Sequence, residues 1–122
     1  MPHDPLDPRR KDRVRLLHML DAARRSVSFA ASRSRSDLDE DDIQTLGLIK
    51  SIEVIGEAAN QINESTRKLF PEVPWQALVG MRNRMVHGYD TIDLEIVWET
   101  VRNSLPPLIQ QLESALDRLE DP

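Results

Sequence analysis

The 122-residue sequence predicts an all-α fold, a small antiparallel bundle of four long helices with the last one kinked. Apolar residues recur at alternating steps of four and three along most of the chain, which is the spacing of one helix face. No segment alternates with period two and no hairpin turn such as Asn-Gly occurs, so strands are not expected. The length corresponds to about one domain with a single core.

Residues 1–9 contain three prolines and are expected to form a flexible arm, which leaves residues 10–122 as the single folded domain. The first helix is predicted from about Arg10 to Ser32. Its apolar face consists of Leu16, Leu20, Ala23, Val27 and Ala30.

The polar stretch 32–40 lacks periodicity and is predicted to be a loop. Negative charge over residues 39–42 then favours a helix start, because it meets the positive end of the helix dipole. The second helix is predicted from about Asp41 to Lys68, and Gly56 within it is expected to allow another helix to approach closely. The apolar face of this helix consists of Leu48, Ile52, Ile55, Ala59 and Ile62.

The third helix is predicted to begin at Pro74, because the first helical position tolerates the missing N–H of proline. Gly88 is predicted to end it in a left-handed conformation. His87 would then stand in the last turn, where the negative end of the dipole favours the protonated imidazole. The apolar face of the third helix consists of Trp75, Leu78, Val79, Met85 and Val86.

The last helix is predicted to begin near Asp93 and to keep one apolar face to Leu119. Pro106 and Pro107 interrupt it, because they remove two backbone donors and clash with the preceding turn. The apolar spacing keeps its phase across these prolines, so a kink or short break is expected there.

Several function classes are excluded by composition. The chain has no cysteine, which removes a disulfide scaffold, a thiol nucleophile and a cysteine-ligated metal. None of the three histidines has a second ligand three or four residues away, so no metal site and no cofactor are expected. The acidic run 39–42 is interpreted as a solvated helix start rather than a cation site. No apolar run approaches the roughly 18 residues that a membrane span needs, and the N-terminus lacks the apolar stretch of a secretory signal. We therefore expect a cytoplasmic protein without a membrane span.

The net charge of −5 argues against wholesale coating of nucleic acid. Residues 9–35 nevertheless carry nine basic side chains and only two acidic ones. This segment is either a basic binding face or a solvated helix face, and charge counts favour the second interpretation.

The segment Arg82-Asn83-Arg84-Met85-Val86-His87-Gly88-Tyr89 differs in kind from the rest of the chain. A guanidinium that stays charged beside an imidazole that titrates suits binding and cleavage of a phosphodiester. On one helix Arg82 and His87 would lie about 140° apart, so a bend or a second copy of the chain would be needed to bring them together. The alternative is a helix end whose Arg and His side chains bind free carbonyls.

The order and spacing of these motifs resemble the HepT family, minimal HEPN-domain toxins of prokaryotic toxin–antitoxin pairs. The family signature of Arg, four residues, His, one residue and Tyr is met by Arg82, His87 and Tyr89, and Asn83 fits the polar residue favoured after the arginine. The resemblance extends to Ile55-Gly56-Glu57-Ala58, Pro71-Glu72-Val73-Pro74-Trp75 and Asp93-Leu94-Glu95-Ile96-Val97-Trp98.

The resemblance implies a HEPN-like bundle that acts as a metal-independent endoribonuclease and forms a homodimer or higher oligomer. The ribose 2′-hydroxyl would attack the adjacent phosphorus, with His87 as general base or acid and Arg82 stabilising the phosphorane. Asn83 would orient the phosphate or His87, and Arg84 would hold the RNA backbone. Glu57 is expected to support the site by pairing with Arg82 or Arg84, or else to face solvent.

Members of the HepT family are paired with MntA-like nucleotidyltransferase antitoxins that transfer AMP to the motif tyrosine, here Tyr89. The added charge and bulk would block the position of an RNA phosphate. The alternative for Tyr89 is a half-buried aromatic with a satisfied hydroxyl. The alternatives for the whole chain are a non-catalytic module that binds a nucleotide or docks on a nucleotidyltransferase, and a structural helical adaptor.

Overall fold

The computed structural model describes residues 7–87 and 91–119, and of His87 it describes the backbone. Its elements are α1 (Pro8–Ala30), a 3₁₀ turn (Arg35–Asp37), α2 (Ile43–Gln61), α3 (Glu64–Leu69), α4 (Trp75–Val79), α5 (Met81–Met85), β1 (Val86–His87), β2 (Thr91–Ile92), α6 (Leu94–Glu99), a π-helical turn (Thr100–Ser104) and α7 (Leu105–Arg118). The predicted all-α bundle is confirmed, although the helices are more numerous and several are short. No helix in the described ranges combines the length and apolarity that a membrane span requires.

The longest helices, α1, α2 and α7, pack together around the core. Asp12 near the start of α1 contacts Asn63 just after α2, and Arg13 contacts the Leu116 and Leu119 carbonyls at the end of α7. Helix α1 is therefore antiparallel to both. The larger side chains at the centre are Leu16, Met19, Ile52, Ile55, Leu105, Leu108 and Leu112.

Helix α1 begins at Pro8, two residues before the predicted start. The Arg9 N–H donates to Oδ1 of Asp7 at 2.9 Å, which caps the helix, and the first helical position tolerates the proline. Two residues assigned to the arm therefore belong to the helix. Residues 1–6 of the predicted arm lie outside the described part of the chain.

The predicted continuation of the second helix to Lys68 was wrong, because α2 ends at Gln61 and α3 begins at Glu64. The break is stabilised from α1. The buried carboxylate of Asp12 accepts hydrogen bonds from the Asn63 N–H at 3.2 Å and from the Thr66 hydroxyl at 2.6 Å. The start of α3 thus finds its hydrogen-bond partner in α1.

The predicted third helix is divided at Gly80 into α4 and α5. Pro74 precedes the first helical residue, Trp75, whose indole N–H donates to the Phe70 carbonyl at 3.0 Å. Helix α5 ends at Met85, before the predicted end at Gly88. The chain then forms β1, which pairs with β2 in antiparallel register, although no strand was expected. The ladder has two residue pairs and is too short to produce a period-two pattern.

The last helix is interrupted just before its two prolines. The segment from Thr100 to Ser104 forms a π-helical turn, in which the Leu105 N–H donates to the Thr100 carbonyl five residues earlier. Pro106 and Pro107 then occupy the first turn of α7, directly after the π-helical turn. The widened turn takes the place of the predicted kink.

Among the described glycines, Gly56 in α2 has the closest neighbouring atom, and that atom belongs to α4. A Cβ atom at this position would lie 2.8 Å from the Leu78 carbonyl oxygen, closer than real side chains tolerate. The expected close approach at Gly56 is therefore confirmed. This contact places α4 and the following α5 against the face of α2 that carries Glu53, Gly56, Glu57 and Asn60, which we call the outer face of α2.

We expect Gly56→Ala to lower the free energy of unfolding by about 1–3 kcal/mol, because the methyl group would push against backbone that cannot move aside. Gly47→Ala is the matched control, since it lies in the same helix with nothing within 4 Å of its Cβ position. The free energy of unfolding of the control should rise by about 0.5–1 kcal/mol, because alanine has a higher helix propensity than glycine. Urea denaturation followed by circular dichroism measures both, and stabilisation of similar size by both substitutions would contradict the prediction.

Candidate functional site

The short helix α5 carries three of the predicted site residues. Met81 and Met85, one helical turn apart, are buried in the core. Arg82, Asn83 and Arg84 between them are exposed. The two methionines anchor one side of the helix in the core, so that the three polar residues lie on the side that faces solvent.

His87 lies beyond this helix and not in its last turn, so the predicted helical position was wrong. Helix α5 ends at Met85, and the backbone of His87 pairs with Thr91 across the two strands. The Asp93 N–H also donates to the Met85 carbonyl at 2.7 Å. These bonds hold the backbone at His87 in a defined position relative to α5 and α6.

The side chain of His87 and residues 88–90 lie outside the described part of the chain. The predicted left-handed conformation of Gly88 and the predicted acceptor role of Tyr89 both fall on this segment and stay predictions. The residues on either side of this segment, His87 and Thr91, pair with each other through their backbones.

A cavity of about 130 Å³ lies beside Arg82, between the outer face of α2 and the α4–α5 segment. It is lined by Glu53, Gly56, Glu57, Asn60, Val79 and Arg82. Glu57 and Arg82, one of its two predicted arginine partners, thus border the same cavity. Among the described residues no ion pair within 4.0 Å joins them. A polar ligand entering this cavity meets a cation on one wall and two carboxylates on another.

Two residues of the predicted apolar face lie exposed beside Arg82. Val79 is 37% exposed and Val86 is 38% exposed, whereas Trp75, at 8%, is buried as predicted. The surface around Arg82 is therefore partly apolar.

The basic residues of the segment 9–35 largely bind within the chain. Arg13 donates to the carbonyls at the end of α7 at 3.0 and 3.1 Å, and Arg24 pairs with Glu113 at 2.9 Å. Arg35 pairs with Glu95 at 2.6 Å. These contacts link α1 and the following loop to α6 and α7. The sequence had suggested either a basic binding face or a solvated helix face, and neither includes this role.

Asp12 is a buried acidic residue that the sequence predictions did not include. It lies four residues before Leu16, so it extends the apolar face of α1 by one turn. An acidic residue at a core position is the signal that could have identified it, because buried carboxylates require partners. Among residues 7–87 and 91–119, no group of three His, Asp or Glu side chains is arranged to hold a metal ion.

Comparison with known proteins gives a consistent result. A family model described as "Ribonuclease HepT-like" matches residues 19–115. The protein named "Putative RNase MJ1380" from Methanocaldococcus jannaschii is 31% identical over 98 residues, covering 80% of this chain and 90% of that protein. "Probable ribonuclease HepT" from Thermococcus cleftensis is 35% identical over 66 residues, covering 54% of this chain and 60% of that protein. No solved structure gives a significant match.

Proposed function

Because this chain belongs to the HepT-like ribonuclease family, we propose that it is a metal-independent endoribonuclease whose catalytic groups are Arg82 and His87. Ribonuclease activity is what the family and the names of the relatives support. The assignment of Arg82 and His87 as catalytic groups is supported most directly by the position of α5. This helix exposes Arg82 and ends two residues before His87.

The proposed reaction is attack of a ribose 2′-hydroxyl on the adjacent phosphorus. The 2′-oxygen forms a bond to phosphorus, the bond to the 5′-oxygen breaks, and the products carry a 2′,3′-cyclic phosphate and a 5′-hydroxyl. His87 removes the 2′-hydroxyl proton or protonates the leaving 5′-oxygen. Arg82 stabilises the charge that develops on the phosphorane oxygens. Asn83 orients the phosphate or His87, and Arg84 binds the RNA backbone.

The site is proposed to be completed in a homodimer. The rotation of about 140° along one helix does not apply to this pair, since His87 lies outside α5. The dimer is supported instead by the exposed Val79 and Val86, which flank Arg82 with apolar surface. Contact between two such surfaces would bring two Arg82 side chains into one cleft.

The test of this function is incubation of the purified chain with single-stranded RNA in the presence of EDTA. We expect cleavage that EDTA leaves unchanged and products that end in a 2′,3′-cyclic phosphate. Cleavage that needs an added divalent cation, or products with a 5′-phosphate, would contradict the mechanism, because a 2′-hydroxyl nucleophile leaves the phosphate on the 3′ side.

The chain is further proposed to be the toxin of a toxin–antitoxin pair, neutralised by a cognate MntA-like nucleotidyltransferase. The Tyr89 oxygen would attack the α-phosphorus of ATP, form a phosphodiester to AMP and release pyrophosphate. Tyr89 stands two residues from His87 in the sequence, so the added phosphate would compete with the RNA phosphate for the same arginine.

Tyr89→Phe is expected to cleave RNA like the parent chain and to escape inhibition by the nucleotidyltransferase, because it keeps the ring and lacks the acceptor oxygen. Two measurements check this: RNA cleavage by the variant, and the mass of the parent and variant after incubation with ATP and the partner enzyme. Loss of cleavage in the variant would assign Tyr89 a catalytic or structural role. An AMP adduct mapped to another residue would contradict the acceptor assignment.

A further inference from the structure

A second cavity borders Glu57 on the side of α2 that faces α1. Its volume is about 190 Å³, and it lies between α1 and α2. It is lined by Arg15, His18, Val54, Glu57, Ala58 and Gln61. Because Glu57 lines both cavities, the two lie next to each other on the surface of α2.

The cation in this cavity is held in place by the fold. One guanidinium nitrogen of Arg15 donates to Oδ1 of Asp12 at 3.1 Å and to the Gln61 carbonyl at 3.0 Å. The Arg15 side chain keeps 26% of its surface exposed, and its other guanidinium nitrogens bind no group among the described residues. An orientated guanidinium with donors to spare is suited to a phosphate, because little side-chain freedom is lost on binding.

The remaining side chains suit a nucleobase. His18 is exposed and forms no hydrogen bond or ion pair among the described residues, so its imidazole can stack on a base. Val54 and Ala58 supply an apolar wall. The Gln61 amide both donates and accepts, whereas the Glu57 carboxylate only accepts and repels phosphate. A base edge with an N–H donor therefore faces Glu57, while the phosphate lies towards the cation.

We propose that this cavity is a nucleotide subsite for single-stranded RNA, adjacent to the phosphodiester held at Arg82. The inference rests on the proposed ribonuclease function and adds to it a second point of substrate recognition. A base can enter the cavity only when it is unstacked, which a single strand allows and a duplex does not. The subsite thus favours cleavage in loops and unpaired segments.

The test is RNA binding by variants at His18 in the catalytically inactive His87→Ala background, so that the probe stays intact. The probe is a short fluorescein-labelled single-stranded oligoribonucleotide of mixed sequence, and its anisotropy gives the Kd. His18→Ala is expected to raise the Kd by about 5-fold to 150-fold, because it removes one stacking contact. His18→Phe should restore most of the affinity, since it can stack. Leu17→Ala is the matched control, as an exposed neighbour outside the cavity, and should leave the Kd unchanged.

The outcomes separate the inference from the function on which it rests. If the parent chain cleaves RNA and His18→Ala binds the probe as tightly as Leu17→Ala does, the subsite is overturned and the ribonuclease proposal stands. If the parent chain cleaves no RNA yet His18→Ala weakens probe binding and His18→Phe restores it, the ribonuclease mechanism fails and the subsite stands. Failure of the His87→Ala chain to bind the probe overturns the subsite.

Discussion

Replacement of His87 by alanine is expected to lower the rate of RNA cleavage by about 10²-fold to 10⁴-fold, the usual contribution of a general acid or base. The imidazole is the group in the motif whose proton can leave and return near neutral pH. Arg82 keeps its charge and would still hold the phosphate. The loss should therefore appear in kcat, while RNA affinity changes little.

Single-turnover cleavage of a labelled RNA, measured beside probe binding, checks this pattern. Thr91→Ala is the matched control, because Thr91 pairs with His87 through the backbone and its exposed side chain is dispensable for that pairing. The control should cleave at nearly the parent rate. A His87→Ala chain that cleaves as fast as the Thr91→Ala chain would remove His87 from the mechanism.

Asp12→Ala is expected to produce the largest loss of stability, about 3–5 kcal/mol, because it removes the carboxylate at the centre of a buried hydrogen-bond cluster. The Asp12 side chain has no exposed surface. It accepts hydrogen bonds from the backbone and side-chain amides of Asn63, both at 3.2 Å, from Thr66 at 2.6 Å and from Arg15 at 3.1 Å. Thr66 is itself buried, so its hydroxyl would be left without water or a partner.

Urea denaturation of Asp12→Ala and of the control Asp21→Ala measures this cost. Asp21 is an exposed acid on the same helix, and its loss should change the free energy of unfolding by no more than about 0.5 kcal/mol. Asp12→Asn, which keeps the size of the side chain, should fall between the two. Equal stability of the Asp12→Ala and Asp21→Ala chains would show that the cluster contributes nothing.

The spacing of apolar residues determined the long helices and the faces they bury. All five residues of the apolar face predicted for the second helix, from Leu48 to Ile62, are buried, and the face of α7 is buried from Leu105 onwards. The close approach at Gly56 also followed from the sequence. These predictions succeed because the helical period is a local property, so neighbouring residues contain all the information it needs.

The motif positions of the site were likewise evident from the sequence, since Arg82 and His87 have a fixed spacing along the chain. Their surroundings were not. The cavity beside Arg82 is formed by residues of α2, α4 and α5, and the second cavity is formed by residues of α1 and α2. Which residues share a cavity depends on how the helices pack, and packing joins residues that lie far apart in the sequence.

Only the tertiary structure decided where the second predicted helix breaks and where His87 lies. The break before Asn63 is stabilised by Asp12, 51 residues earlier, and the strand at His87 exists because Thr91 returns beside it. The apolar spacing predicts one continuous helix across the first of these positions. It is overridden because a buried donor or acceptor must find a partner, and that partner can come from any part of the folded chain.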